Sequence, residues 1–237
     1  MIFVSLFAYA LCKTATRAGQ SHQAAIEAEI NAGEGATWPA FRVLSRLRMI
    51  SDVAVYVDGS TTIARARCRA AGMFLAQASA DTWITIDDDT DAPYETLRQL
   101  VNAAPAGIVS VPMWLRDGLR VNIEIAPDAE RTETLVRARR TGLGLVSMSR
   151  GAIQALATDR ELQWFRDAPP GGRDVLCPAL FLEHVSGRVW HGEDASFSER
   201  AESADVPIWA LRRVYAEHAG RGYALTDDDL TQIASPR

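Results

Sequence analysis

Trp83-Ile84-Thr85-Ile86-Asp87-Asp88-Asp89-Thr90-Asp91 is the stretch on which the reading of this chain turns. Its first four residues are apolar or β-branched and read as a buried strand. They run into three consecutive aspartates, a cluster that repels itself unless a cation or hydrogen-bond donors compensate. Side chains two apart on an extended segment share a face. Asp87 and Asp89 can therefore address one ligand while Asp88 turns aside. Two hard oxygen donors at a strand's carboxyl end suit Mg2+ or Mn2+, and through the ion a diphosphate. In open α/β sheets ligands bind outside those strand ends. The competing reading is a solvated acidic turn, with Asp91-Ala92-Pro93 starting a helix.

Working outward, strands and helices alternate, which argues for α/β layers. Ile2 to Ala8 reads as a first strand, with a polar stretch from Lys13 to Gln20 behind it. Helical spacing follows around residues 24–30 and 41–48, then a strand over Val53–Val57 closed by Asp58-Gly59. Ser60-Thr61-Thr62 can cap a helix from Ile63 to about Ala78, whose apolar stripe leaves Arg65 and Arg69 exposed. After the aspartates come a helix to Asn102, a strand over 106–111, and hairpin or edge strands over 121–126 and 135–139. A strand over 143–148 and a helix around 152–157 precede a loop from Asp167 to Asp174. Helix returns over 193–202, and residues 208–215 are extended. Trp114, Trp164 and Trp190 are expected to bury an edge of the core, and Asp52 and Asp58 to form turns or meet a nucleotide.

The chain has 237 residues, 48% of them hydrophobic, enough for a sizeable core. A formal net charge of −5 argues against a nucleic-acid partner, which normally meets a basic excess. Lys13 is the single lysine, so positive charge is almost entirely arginine. Cys12, Cys68 and Cys177 are odd in number and lack zinc spacing, which fits a reducing cytoplasm. The apolar start has no basic segment before it, and no apolar run is long enough for a transmembrane segment.

Three stretches, in order, resemble a GT-A fold glycosyltransferase of the family-2-like kind found in bacteria and phages. Ile63-Ala64-Arg65-Ala66-Arg67-Cys68 is similar to the helix bearing an Arg-Asn pair, with Arg67 at the arginine and Cys68 in place of asparagine. Ile86-Asp87-Asp88-Asp89 is similar to the DxD motif, and Trp190-His191-Gly192-Glu193-Asp194 to the Gly-Glu-Asp segment that opens a helix. Thr141-Gly142-Leu143-Gly144-Leu145 resembles the strand beside the sugar pocket, and Glu217-His218-Ala219-Gly220 a late metal-binding histidine. The resemblance implies a GT-A-like mixed sheet over residues 1–225, with 226–237 a charged C-terminal tail. It implies Mn2+ or Mg2+ on Asp87, Asp89 and His218, diphosphate contacts from Arg67, Asp87 and Asp89, and Asp194 as general base with Glu193 orienting the acceptor. The donor would be a nucleotide sugar, UDP first, and the acceptor a hydroxyl on a glycan, lipid or protein.

His191 reads as a solvent-facing loop residue. Two further functions compete: a nucleotide- or sugar-binding domain without turnover, and a metal-dependent phosphohydrolase. The haloacid-dehalogenase signature of the latter needs Thr or Val where Asp91 stands. For Glu193 and Asp194 the alternative role is helix capping, because carboxylates favour helix N-termini.

Overall fold

The Trp83 run forms a strand with a partner on each side. The computed structural model describes residues 1–59, 62–115, 120–168 and 174–229. Ser60 and Thr61 of the expected helix cap, residues 169–173 of the expected loop and residues 230–237 of the tail lie outside that range. The first half runs β1 (Ile2–Phe7), α1 (Tyr9–Arg17), α2 (His22–Ala32), α3 (Pro39–Ile50), β2 (Val53–Asp58), α4 (Ile63–Ala76), β3 (Thr82–Asp87), β4 (Thr90–Asp91), α5 (Tyr94–Ala103) and β5 (Ile108–Ser110). There follow β6 (Ile123–Glu124), β7 (Leu135–Ala138), β8 (Arg140–Thr141), β9 (Leu145–Ser149), α6 (Arg150–Ala157), β10 (Trp164–Asp167) and β11 (Val175–Pro178). The last elements are β12 (His184–Ser186), β13 (Val189–His191), α7 (Glu193–Ser203), β14 (Ile208–Leu211), β15 (Tyr215–His218) and β16 (Arg221–Ala224).

Seven strands form one mixed sheet in the order β2-β1-β3-β9-β5-β14-β7. β2, β1 and β3 are parallel, β9 runs against both β3 and β5, and β14 is parallel to β5. Alternation along β3 sends Trp83 to one face, with Phe74 of α4 and Ile153 of α6. Ile84 and Ile86 face the other way, with Leu44 of α3 and Leu97 of α5. The fold is thus a mixed α/β sheet flanked by helices. Two polar side chains inside it are paired: Trp83 Nε1 donates to Ser5 Oγ at 2.9 Å and Thr85 Oγ1 to the Leu143 carbonyl at 2.8 Å. Register aligns Phe7 with both Asp58 and Asp87, so the carboxyl ends of three parallel strands form one edge. Among the described residues no helix is long and apolar enough to cross a membrane.

Several expectations change. The stretch behind β1 is helical: α1 has no side-chain cap of its own, and Asp88, 78 residues away, accepts from the Ala10 N–H at 2.7 Å. Of the hairpin-or-edge pair, β7 becomes an edge strand of the main sheet, while β6 pairs with β8. Trp164 and Trp190 stay exposed rather than sealing the core. Arg69 is buried, because the β10–β11 ribbon crosses the outer face of α4. A Cβ on Gly72 would sit 2.6 Å from the Leu176 carbonyl. Arg69 reaches Asp58 at 2.6 Å and Asp167 at 3.2 Å, and Arg65, exposed as expected, holds Asp167 at 2.7 Å. Asp58 is a buried ion-pair member rather than a turn residue, and also accepts from the Tyr56 hydroxyl.

Removing one partner of a buried pair leaves an uncompensated charge, which costs about 3–5 kcal/mol. Asp58→Ala leaves Arg69 with Asp167 and should lower the unfolding free energy by up to about that amount in urea denaturation. A loss below about 1 kcal/mol, the range of surface pairs, would mean the Asp58–Arg69 pair does not hold α4 to β2.

Candidate active site

Arg67 lies at the centre of the site, with only 2% of its side chain exposed. α4 aims it at the carboxyl edge of the sheet, its guanidinium 5.5 Å from the Phe7 ring. One nitrogen, Nη2, donates to Asp87 at 2.9 Å. The other, Nη1, donates to Glu193 at 3.0 Å and Asp194 at 3.1 Å. The end of β3 and the start of α7 therefore meet on one cation. Glu193 and Asp194 are in the first turn of α7, but the N-cap Gly192 offers no side-chain cap. Their carboxylates turn to Arg67.

The second half of the acidic stretch is gripped from another direction. β15 pairs antiparallel with β4, setting His218 opposite Thr90 and Glu217 opposite Asp91. The Ala219 N–H donates to the Asp89 carbonyl at 3.0 Å, in a turn where Ala219 and Gly220 take positive φ. His218 Nε2 stands 3.2 Å from Asp89 Oδ1, and Nδ1 is 2.7 Å from the Trp114 carbonyl. Hydrogen bonding to Asp89 raises the imidazole pKa. Asp91 is held by Arg42 at 2.7 Å and Arg46 at 2.6 Å. Arg67 thus gathers Asp87, Glu193 and Asp194 at the end of β3, while His218 meets Asp89. Asp88 does not turn out of the site as expected, because it bonds α1 and lines the same cavity as Asp87.

The donor types suit a hard or borderline divalent cation: carboxylates on Asp87 and Asp89 and an imidazole on His218. A Cβ on Gly144 would lie 3.4 Å from Asp87 Oδ2 and 3.5 Å from Thr90 Oγ1, and that hydroxyl is buried without a hydrogen-bond partner. The three donors are not gathered within 4.8 Å of one another. Among the described residues that tighter grouping is His184, His191 and Glu199.

Asp194 departs from the sequence expectation. A helix N-terminus lowers a carboxylate's pKa, yet here it is raised to about 7. Burial among protein atoms is the main cause, with Glu193 and Asp87 adding to it, and Arg67 and the Leu143 N–H opposing. Its side chain keeps 44% of its surface open, so the carboxyl is reachable from solvent.

Two cationic residues that the sequence did not single out join the site. A cavity of about 570 Å³ above Arg67, Asp87 and Glu193 is also lined by Lys13 and Arg17 of α1. Their i, i+4 spacing on a polar helix face was the available signal.

No family model matches the chain, and no curated protein matches it. Among solved structures it is similar to A197 from STIV, with 13% identity over 95% of this chain and 94% of that one, at a TM-score of 0.45. It is similar to GalNAc-T7 with UDP, GalNAc and Mn2+, with 10% identity over 95% of this chain and 44% of that one, also at 0.45. A third is UTP-bound UGPase from Acinetobacter baumannii, with 8% identity over 98% and 91% of the two chains, at 0.42. These are remote likenesses of fold.

Because Asp194 titrates near 7 in the fold and from 3.8 as an ordinary carboxyl, the folded chain holds its proton more tightly. Stability is therefore lost as pH rises through that window. Asp194→Asn removes the titration, so its melting temperature relative to the parent should climb between about pH 4 and pH 8. A difference that does not change with pH, measured by differential scanning calorimetry, would contradict the raised pKa.

Proposed function

We propose that the chain is a glycosyltransferase of GT-A type that moves a sugar from a nucleotide-sugar donor to a hydroxyl acceptor. The supporting observation is the meeting of Asp87, Glu193 and Asp194 on the buried Arg67 guanidinium. Two stretches that resemble the donor and acceptor motifs, over a hundred residues apart, face one cavity. Asp87, Asp89 and His218 would hold Mn2+ or Mg2+, which supplies Lewis-acid neutralisation of the leaving diphosphate. UDP is the first choice of nucleotide, by the same resemblance.

Lys13 and Arg17 project over the cavity and can pair with donor phosphates. Arg67, with both terminal nitrogens on carboxylates, acts in this reading as the brace that fixes them rather than as a free phosphate ligand. Asp194 is the general base. A carboxylate with pKa about 7 combines a substantial ionised fraction near neutrality with more basicity than an ordinary aspartate. It takes the proton of the acceptor hydroxyl as that oxygen attacks the anomeric carbon and the nucleoside diphosphate departs. Glu193, on the same guanidinium nitrogen, orients acceptor hydroxyls.

The test is turnover of a panel of nucleotide sugars with Mn2+, run with two variants. Asp89→Asn should abolish Mn2+-dependent donor binding in calorimetry. Asp194→Asn should leave donor affinity within a few-fold of the parent and reduce kcat by roughly 10²–10⁴-fold. Full turnover by Asp194→Asn, or unchanged donor affinity of Asp89→Asn with Mn2+ present, would overturn these assignments.

A further inference from the structure

A second cluster of ligand-type side chains lies on the far part of α7. β12 and β13 form a hairpin whose turn contains Gly187 at φ +63°. Its register sets His184 directly across from His191, so the two imidazoles project from the same face and stack at 4.8 Å, 15° from parallel. Glu199 of α7 meets both. Its Oε1 is 2.6 Å from His191 Nδ1, and its Oε2 is 3.3 Å from His184 Nε2. Donor atoms of all three lie within 4.8 Å of one another. Arg140 also reaches Glu199 Oε1, at 3.0 Å, from a half-exposed position.

We propose that His184, His191 and Glu199 bind a divalent cation of the zinc class. Two imidazoles and one carboxylate match the ligand preference of Zn2+ and are poor for Mg2+ or Ca2+, which take oxygen. Tetrahedral bonds of about 2.0–2.1 Å place neighbouring donors roughly 3.3 Å apart, close to the His184–Glu199 separation. The supporting contacts are in place. Ser196, fully buried, has Oγ 3.0 Å from His184 Nδ1 and donates to the His191 carbonyl at 3.2 Å. If His184 gives its Nδ1 proton to that hydroxyl, Nε2 is left as the lone-pair donor facing Glu199, the usual way an outer partner sets a ligand's tautomer. A cavity of about 520 Å³ opens beside His184 and Glu199, leaving space for water as a fourth ligand.

The site would act as a brace. His191 is separated from Glu193 only by Gly192, and Glu199 sits on the same helix as Glu193 and Asp194. A cation joining hairpin and helix fixes the short segment from which both acids project. This makes His184, His191 and Glu199 positioning residues, a role that rests on the proposed function, whereas cation binding itself does not depend on the Asp87–Asp89 cluster.

Calorimetric titration of the metal-stripped full chain with Zn2+ tests the site, with Co2+ absorption as a second readout. The expected result is one Zn2+ per chain and the intense visible bands of a low-coordinate Co2+ complex. His184→Gln and Glu199→Gln should each weaken Zn2+ at least about hundredfold and abolish the bands, and Ser196→Ala should weaken it about 10–100-fold. Asp89→Asn should leave Zn2+ affinity unchanged, which separates this site from the proposed catalytic one. No stoichiometric Zn2+ uptake by the parent chain, or equal uptake by the His184→Gln,His191→Gln double variant, would overturn the proposal whatever the single variants do.

Discussion

A guanidinium with almost no access to water must be surrounded by acids, and this one constraint organises the carboxyl edge of the sheet. Arg67 retains 2% exposure and meets Asp87, Glu193 and Asp194. Its own charge would be costly to bury alone, and the three carboxylates would repel one another without it. Each therefore depends on the other. The consequence is architectural: α4, the end of β3 and the start of α7 have to converge on one point. The parallel strands β1, β2 and β3 supply the edge on which that point sits.

The rest of the site follows from how the remaining aspartates are satisfied. Asp88 caps α1, which brings Lys13 and Arg17 over the cavity. Asp91 is tied to Arg42 and Arg46 of α3. Asp89 faces His218 because β15 returns to pair with β4. The four aspartates between positions 87 and 91 are met by four separate parts of the chain. Burial raises the Asp194 pKa, with Glu193 and Asp87 adding to it against Arg67.

Much of this frame was readable in advance. The apolar run before Asp87 could only be buried, and the alternation around it announced α/β layers. Asp87 and Asp89 stood out from local pattern, and Arg67, Glu193, Asp194 and His218 from the family resemblance. Asp87, Glu193 and Asp194 meet on Arg67, and His218 meets Asp89. What escaped were features set by distant partners. α1 carries no capping side chain because Asp88 provides one from 78 residues away, so the local sequence looked like loop. Arg69 was read as exposed because a helical stripe cannot reveal a ribbon crossing the outer face. Gly72 was the trace of that crossing, since only a residue without a side chain admits the Leu176 carbonyl so closely. His191 was read as a solvent-facing loop residue, although Ser186-Gly187 between alternating residues is a hairpin signal. The helix-dipole argument for Asp194 failed because burial, helped by Glu193 and Asp87, outweighs one helix turn.

The dependence of the two acidic stretches on one guanidinium is measured most directly by a mutant cycle on folding free energy without metal. Arg67→Met alone should destabilise by about 3–5 kcal/mol, since it strands three carboxylates. Adding Asp87→Asn and Asp194→Asn in the same background should then restore stability, giving a coupling of at least about 1 kcal/mol. Costs that add to within about 0.5 kcal/mol would mean that Arg67 does not hold these acids together, and the account of the site would fail with it.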